Sequence, residues 1–579
     1  KGNALVTNVE GISLAVAGTA NDVLVRGPMF VDNGGTLEVF GKGSPAIYIN
    51  GRKVNDLQEL SQLNSGEIKN VEVITNPGAS YAADVKSVIR IRTKPPKGDG
   101  FSGILRSDNG FQHYFRTGNS LDLKYRTSGL EIFANYGWWR GNTRFDRLND
   151  MNTTTSKGTY RQFVSTIGKE SYNDMTGKLG FSYMINDLHS IGAYYQNSWN
   201  RHNTDGTIPS EIWQDGILLD LYNSDVHNQS TAVPRHYANI YYNGIVGKLN
   251  IDFNADYIWY KSRELTFNNE LSEMGNDREV NTSSINHNRM FAEKLVMTYP
   301  LWKGQIEIGE EYTNTRTTNL FSANIPETPN ADNRVDENNI AVFAELGQQF
   351  GHFMIGAGLR YEHVKFNYYE MGLLRDGQSK TYNNIFPSLN IATQVGKVRM
   401  GLNYTDKTIR PGYGQLDGAI SYINRLTYET GNPYLKPTKL QTVEYMAQWR
   451  RFFAQLSFTY FKDGVYHITE PYGPEGEATI IRTANLDHRH YLQAFVGGNF
   501  QVGVWQPKVN IGMMKQWLSL PLNGEQVNMN TPIFMFQWQN AVHLPFDIWL
   551  NIDAQLMTRG WDNNTRLTIA TLACLLGYR

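Results

Sequence analysis

Two histidines at alternate positions carry the pattern that comes closest to metal chemistry. Residues Asp487–Tyr491 read DHRHY, and a His-x-His pair on a β-strand places both imidazole rings on one face, where His488 and His490 could share a metal ion or haem. Pairs of this kind are more often ordinary polar residues of a loop or a solvated strand. We therefore predict no bound metal and no cofactor, and keep both histidines as candidate ligand contacts.

Two tryptophans form a second candidate site, for stacking rather than for coordination. Trp199 precedes the polar segment TDGTIPSEIWQDG and Trp213 lies within it. An indole ring in such a segment could stack on a sugar or on a catecholate ring, although exposed loops carry aromatic residues for other reasons. No combination of nucleophile, acid and base stands out elsewhere, so we predict that the protein is not an enzyme.

A third group of residues carries charge without a reactive group. In the segment Val88–Lys94, the side chains of Arg90, Arg92 and Lys94 share one face of a predicted strand, and apolar side chains and a threonine occupy the other. A strand with a wholly basic face requires water or an anion-lined space on that side. The nature of this space depends on the rest of the chain.

The composition favours an all-β protein and excludes several other classes. The 579 residues include 53 Gly, 33 Tyr, 27 Phe and 12 Trp, a mixture rich in strand-forming aromatic residues. A net charge of −1 gives no reason to expect a nucleic-acid partner.

Cys574 is the only cysteine, so an intramolecular disulfide is impossible. The sequence contains no apolar run of about 18 residues that would predict a transmembrane helix. Because the chain starts KGNALVTN without a signal peptide, we expect a trimmed form that is also incomplete at its C-terminal end.

From about Phe101 onward, apolar and polar residues alternate in one segment after another. In KLNIDFNADYIWYK (residues 248–261), one face carries aliphatic and aromatic residues up to Trp259, and the other carries lysine, asparagine and aspartate, including Asp252 and Asp256. Charged and amide groups in strict period two do not fit a sandwich core. They fit a water-filled lumen, and the apolar face then fits contact with lipid.

About twenty such strands are predicted after Gly100, joined by short turns and by polar segments that read as long loops, among them residues 197–218 and 222–236. This pattern is typical of an outer-membrane β-barrel. The alternative, a soluble propeller or sandwich, lacks support because no blade repeat of roughly 40 residues is visible. A barrel of this size is too wide for side chains to fill, so its lumen must be open or plugged.

The first hundred residues do not show this long alternation of apolar and polar residues. Short strands and a helix-period stretch predict a small α+β module that ends at PPKGDG (Pro95–Gly100), and INGRK (Ile49–Lys53) contains an Asn-Gly hairpin turn. We therefore predict two domains, at residues 1–98 and 99–579.

Two stretches resemble the TonB-dependent outer-membrane receptors. In Ser44–Lys94, the segments IYINGR, IKNVEVITNPGASY and VIRIRTK stand in the order of that family's plug domain. In the barrel, GLRYE (Gly358–Glu362), FPSLNIA (Phe386–Ala392) and the RP…GNPYLKP…E elements of Thr408–Tyr445 are similar to the Bacteroidota branch of the family. The resemblance covers essentially the whole chain.

The resemblance implies a mainly β fold, in which a large antiparallel transmembrane β-barrel of about 22 strands holds a small α+β plug domain inside its lumen. It also implies location in the outer membrane of a Gram-negative bacterium, contact with outer-membrane lipid, and active transport coupled to the TonB–ExbB–ExbD complex. The favoured cargo is an iron-siderophore, haem or a similar scarce chelate. A glycan or peptide importer with a surface lipoprotein, as in SusC-like systems, is the alternative. A passive porin or adhesin is a third reading, which a plug argues against.

Site residues follow from the same resemblance. Ligand contacts are expected at the plug tips, from Lys42, Ser44, Tyr81 and Asp84. The tryptophan and histidine patterns described above add contacts on the barrel and its loops, from Trp199, Trp213, His488 and His490. The basic face of Arg90, Arg92 and Lys94 is expected in the lumen, against acidic wall residues that include Asp122, Asp252, Asp256 and Glu362.

Overall fold

The structure is a computed structural model that describes residues 4–578, except for positions 11–12, 28, 34–35, 41, 55–56, 95–97, 156, 474–477, 523–524, 547 and 564. Strands dominate, and the helices are short. Within the described ranges, no helix combines the length and the apolar character that a membrane crossing requires.

The N-terminal region is a small α+β unit built on a five-stranded sheet. The sheet order is Ala4–Asn8, Ile68–Ile74, Val88–Thr93, Ala46–Ile49 and Arg52–Lys53, with one parallel pair between Ala46–Ile49 and Val88–Thr93. A hairpin and four short helical segments complete it: Phe30–Asn33 with Thr36–Val39, α-helices Ala20–Val25 and Gln58–Gln62, and 3-10 helices Ser13–Val16 and Ser65–Glu67.

The predicted Asn-Gly turn is confirmed and has a local cause. Asn50 and Gly51 both have positive φ, 49° and 91°, between the paired strands Ala46–Ile49 and Arg52–Lys53. Asparagine and glycine tolerate this left-handed backbone better than other residues, which is why the pair favours a tight hairpin.

In the described part of the chain, twenty strands of at least twelve residues form a closed antiparallel barrel around this region, close to the 22 that the resemblance implied. They are Gly100–Phe111, Phe115–Thr127, Leu130–Thr155, Gly158–Asn186, His189–Gln214, Ile217–Val246, Leu249–Ser272, Arg278–Leu301, Gly304–Ala323, Ala331–Phe350, Phe353–Glu370, Lys380–Val395, Val398–Ile409, Thr438–Trp449, Phe452–Tyr472, Ala478–Asn499, Trp505–Trp517, Ile533–Leu544, Ile548–Asp562 and Thr565–Tyr578.

Shorter elements belong to the connections between wall strands. These are strands Leu373–Leu374, Ile420–Asn424, Thr427–Thr430, Ser519–Leu522 and Glu525–Asn528, and helix Tyr413–Leu416. Connections such as Phe350–Phe353 and Trp449–Phe452 are tight, whereas the opposite end carries the long ones, such as Ile409–Thr438. Short turns at one end and longer loops at the other are typical of outer-membrane barrels.

Four wall strands are much longer than a membrane requires. Those between Leu130 and Val246 contain 26 to 30 residues each. The prediction of loops at 197–218 and 222–236 is therefore wrong, because both segments lie almost wholly in strands that extend beyond the bilayer. Water reaches both faces there, so the apolar alternation that identifies a strand is lost.

Within the membrane, the predicted alternation is confirmed. Tyr257 and Trp259 are 46% and 40% exposed on the outer face of the barrel, whereas Asp256 is buried on the inner face. The inward row is polar because it faces the lumen, and the outward row is apolar because it faces lipid.

The N-terminal region contacts the wall differently on its two sides. On one side its apolar core continues into wall residues such as Phe495 and Met535, and the rings of Phe40 and Phe495 lie 5.6 Å apart. On the other side, its Tyr48–Arg92 surface and the polar strands from Leu249 to Phe350 enclose a cavity. One side of this contact is thus packed with apolar side chains. The other, here called the wet side, is lined by polar side chains and borders the cavity.

Candidate ligand-binding site

One cavity beside the N-terminal region, here called the upper cavity, has a volume of about 400 Å³. It lies between the N-terminal region and wall strands from Val398–Ile409 to Ile548–Asp562. Five basic and two acidic side chains line it: Lys42, Lys86, Lys407, Arg410 and Arg489, with Glu38 and Asp562. Aromatic rings complete the lining, among them Phe40, Phe461 and Tyr491. The excess of cations makes this a space suited to an anion.

In the part of the chain that the structure describes, two of these cations form no close ion pair, although Asp562 and Glu38 lie within electrostatic range of Lys86. Among the described residues, neither Lys86 nor Lys407 forms an ion pair with a carboxylate, although Lys407 is only 6% exposed. Burial, and then the positive charge of Arg489, lowers the pKa of Lys86. Because like charges crowd together in a partly desolvated space, a bound anion would relieve their mutual repulsion.

Arg489 is positioned by the wall itself. Its Nη1 donates to Gln516 Oε1 at 3.1 Å and lies 3.7 Å from Asp562 Oδ1, and its guanidinium stands 4.2 Å from the centre of the Phe461 ring. In the described structure its Nε has no hydrogen-bond partner. One donor of this guanidinium is therefore buried and unsatisfied.

The second cavity, here called the lateral cavity, has a volume of about 920 Å³ and occupies the wet side of the N-terminal region. Arg90 and Arg92 line it from the inside, and Asp252, Asp256, Glu307 and Glu311 line it from the wall. Its charges of both signs are close to balance, unlike those of the upper cavity. Arg410 lines both cavities and so stands at their boundary.

A chain of ion pairs runs along the wall from this boundary. Arg410 contacts Glu362, Arg360 Nε donates to Glu362 at 2.5 Å, Arg360 Nη2 reaches Glu311 at 3.2 Å, and Glu311 lies 3.8 Å from Lys294 Nζ. Arg360 and Glu362 are fully buried. Such a buried network is stable only while every charge keeps its partner.

The glycine- and alanine-rich loop after strand Ile68–Ile74 is attached to the wall at several points. Lys294 Nζ donates to the carbonyl of Ser80 at 2.5 Å, and the backbone N–H of Ala83 donates to Glu362 at 3.3 Å. Further contacts are Thr75 Oγ1 to Glu444 at 2.6 Å, Thr405 Oγ1 to Asn76 at 2.5 Å, and Thr408 N–H to the carbonyl of Ala83 at 3.0 Å. The small side chains let the loop backbone approach the wall closely, and all the contacts named here are hydrogen bonds.

The predicted plug-tip residues are divided between the two cavities. Lys42 lines the upper cavity but is buried in an ion pair with Glu444 at 3.1 Å. Tyr81 and Asp84 line the lateral cavity. Ser44 is exposed and is not part of either lining. The structure thus does not bring these four residues together.

The two histidines face away from the lumen, contrary to their predicted role. Arg489 and Tyr491 line the upper cavity, so His488 and His490, at the alternate positions, lie on the outer face of the barrel.

The two tryptophans do not form one site either. Trp199 and Trp213 occupy the same strand, fourteen positions apart, and neither lines either cavity. Trp199 is 46% exposed in the outer aromatic row, and the indole N–H of Trp213 donates to Glu211 at 3.0 Å.

The basic face of strand Val88–Thr93 finds its nearest carboxylates within the N-terminal region, not on the wall. Arg90 and Arg92 lie 3.8 and 3.2 Å from Glu72, and Lys94 lies 3.7 Å from Glu10. The expected wall partners are engaged elsewhere: Asp122 with Arg106, Asp256 with Tyr237 and Asn239, and Glu362 with Arg360 and Arg410. Asp252 shares the lateral cavity with the two arginines.

Sequence reasoning missed the cations that define the upper cavity. Lys407 continues an inward polar row with Asn403 and Thr405, so strict alternation could have identified it. Lys86 lies in an irregular segment between two strands, and no local pattern marks it.

Comparison with protein families gives one match. The model of the outer membrane protein beta-barrel family matches residues 246–568, which is more than half of the chain. No curated protein matches the sequence significantly.

Solved structures share the fold over the whole chain. The siderophore receptor PirA from Pseudomonas aeruginosa is 14% identical, with a TM-score of 0.60 and coverage of 100% of this chain and 93% of that one. The alcaligin outer-membrane receptor FauA from Bordetella pertussis is 11% identical, with a TM-score of 0.55 and coverage of 99% and 89%. The copper transporter OprC is 12% identical, with a TM-score of 0.64 and coverage of 100% and 90%. At these identities the similarity establishes the fold.

Proposed function

Because the chain belongs to the outer membrane protein beta-barrel family, we propose that it is an active importer that takes up a scarce nutrient across the outer membrane of a Gram-negative bacterium. The upper cavity is the observation that supports this role most directly. It holds five basic and two acidic side chains, and the N-terminal region forms its floor. A charged cavity with such a floor is a place to capture a ligand rather than a route for free diffusion.

Residues 1–98 would act as the plug domain and residues 99–579 as the barrel. A passive pore is disfavoured because the apolar core of the N-terminal region continues into the wall. Passage therefore requires part of this region to move, which requires energy. The resemblance to TonB-dependent receptors supplies the expected source, the TonB–ExbB–ExbD complex.

The movement would begin on the wet side. There the loop at residues 75–84 is held by individual polar contacts beside a cavity of about 920 Å³, whereas the opposite side is packed with apolar side chains. Hydrogen bonds broken beside a cavity can be replaced by hydrogen bonds to water, whereas apolar area that becomes exposed has no such compensation. Displacing this loop would join the two cavities at Arg410, which lines both.

The cargo we propose is an anionic metal chelate, such as a ferric siderophore. Lys86, Lys407 and Arg489 would contact its negative charge, and Phe461 or Tyr491 would stack on a flat ring. Solved structures with this fold include a siderophore receptor and an alcaligin receptor, which agrees with such a cargo. A neutral glycan, the alternative cargo, would not compensate the excess of positive charge in this cavity.

The test is uptake of radiolabelled ferric complexes by cells that lack their own iron receptors and express this protein. A ferric tris-catecholate, with net charge −3, is compared with a neutral ferric tris-hydroxamate, each with and without a protonophore. We expect energy-dependent uptake of the anionic complex, and at least a tenfold loss in K86Q/K407Q. The matched control K303Q/K397Q removes two exposed lysines from the short turns and should retain uptake.

The outcomes separate the parts of the proposal. Uptake of the neutral complex alone would refute the anionic cargo but keep the importer. Uptake of neither complex above the level of cells without the protein would refute the chelate reading and favour a glycan or peptide cargo. Uptake that survives the protonophore would refute energy coupling.

A further inference from the structure

Two lysines and a histidine stand in one row across three neighbouring wall strands. Lys439 lies directly opposite Lys462 in the antiparallel register, and Lys462 lies directly opposite His488. Opposed residues on adjacent strands have their Cβ atoms roughly 5 Å apart, and like charges in such positions destabilise a sheet. The opposed ammonium groups of Lys439 and Lys462 would therefore be stabilised by an anion between them.

The row faces outward from the barrel. The neighbours of its members in the chain, Leu440, Phe461 and Arg489, line the upper cavity inside the lumen, so the alternate positions lie on the outer surface. All three members of the row are exposed.

Few carboxylates compete for these charges. In the described part of the chain, Lys439 and Lys462 form no ion pair. His488 Nδ1 lies 3.0 Å from Asp487, and Asp406 borders the row beside Gln441. A further cation, Lys515, lies on the next strand with its ammonium 5.0 Å from the centre of the Trp517 ring.

The row lies at the outer edge of the apolar band. The strands of the row turn at Trp449 and Phe452, whose rings stack at 5.8 Å at the short-turn end. Lys439 and Lys462 are each ten positions from those rings, which is roughly 33 Å along a strand and about 25 Å along the barrel axis at the usual tilt. The side chains between them on this face, such as Tyr445 and Leu456, are exposed and apolar. The apolar band of an outer-membrane barrel is about 25 Å tall.

We propose that this row binds a phosphate group of an outer-leaflet lipid. The cations stand at the level of the headgroups, on the side of the long loops. Immediately below them lies an aromatic row in which Tyr460 is opposite His490 and His490 is opposite Trp517. Such rings suit the interface between a polar headgroup and acyl chains. The site is separate from the lumen and does not depend on the cargo.

The test measures lipid binding by the purified full chain in a neutral detergent. The probes are a bisphosphorylated lipid A and its dephosphorylated form, counted by native mass spectrometry. The variant K439Q/K462Q removes the two lysines. R450Q/R451Q removes two exposed arginines from the short turn of the same hairpin and is the matched control. Heat-modifiable migration on gels confirms that each barrel is folded.

We expect K439Q/K462Q to bind the phosphorylated lipid about 30-fold more weakly than the wild type, from the usual contribution of two basic residues near an anionic lipid surface. The control should stay within about threefold, and the dephosphorylated lipid should bind weakly to all three proteins. An equal loss in both variants would overturn the proposal, as would equal binding of the dephosphorylated lipid. Displacement of the lipid by inorganic phosphate at an equal concentration would show a free-phosphate site and would overturn it as well.

Discussion

The ion pair between Lys42 and Glu444 should decide how firmly the N-terminal region is held in the barrel. Lys42 is 8% exposed and Glu444 is fully buried, and Lys42 Nζ lies 3.1 Å from Glu444 Oε2. The same carboxylate accepts from Thr75 Oγ1 at 2.6 Å and from Gln455 Nε2 at 2.7 Å. Two of its three partners thus belong to the N-terminal region.

Replacing Glu444 by glutamine preserves shape and most hydrogen bonds but leaves the Lys42 ammonium unpaired in a buried site. Breaking a buried pair on one side costs about 3–5 kcal/mol. With a urea m-value of about 1.5 kcal/mol/M for a domain of this size, the midpoint for unfolding of the region should fall by about 2–3 M. The double variant K42M/E444Q removes both charges and should recover more than half of that loss.

Ion conductance through the barrel in a planar bilayer reports the state of the N-terminal region as urea is raised, because its unfolding opens the lumen. Glu310→Gln is the matched control: its neighbour Glu311 lines the lateral cavity, so Glu310 points outward. The reasoning is refuted if E444Q keeps the wild-type midpoint within about 0.5 M, or if the double variant is no more stable than E444Q.

Three further outcomes follow from the same geometry. Gly78→Ala would place a Cβ 2.7 Å from the Glu345 carboxylate, so we expect a lower urea midpoint by the conductance assay, whereas Gly177→Ala, with open space at its Cβ, should match the wild type. Replacing both histidines of the DHRHY motif by alanine should leave cargo affinity within about twofold in a binding titration, because both face outward; a tenfold loss would contradict that orientation. The lowered pKa of Lys86 means that its positive charge, and with it anion affinity, is present at low pH and is lost as pH rises through that pKa, earlier than for an ordinary lysine. Titrations across pH should show this fall in the wild type and a flatter profile in K86R, and identical profiles would count against a role for Lys86.

Much of the architecture is predictable from the chain because alternation is a local signal. Residues 248–261 separate an apolar row from a polar row within one strand, and the segment needs no partner to show it. The Asn50-Gly51 turn is equally local, since it depends on two residues that tolerate positive φ. The signal fails where its physical cause is absent: in the tall strands above the bilayer, both faces meet water, and the sequence reads as loop.

The candidate site is harder to predict from the sequence, because it depends on strand register and on closure of the barrel. A shift of one residue moves every side chain of a strand to the opposite face, and this separates the outward His488 from the inward Arg489.

Local alternation is sufficient to predict a large barrel with a distinct N-terminal region, because the apolar row of each strand favours lipid and the polar row favours water. Which charges meet depends on how the barrel closes. Lys86, Lys407 and Arg489 are far apart in the chain and share a cavity because the barrel closes around the N-terminal region. The partner of a charge is set by distance in space, and no local pattern in the sequence records it.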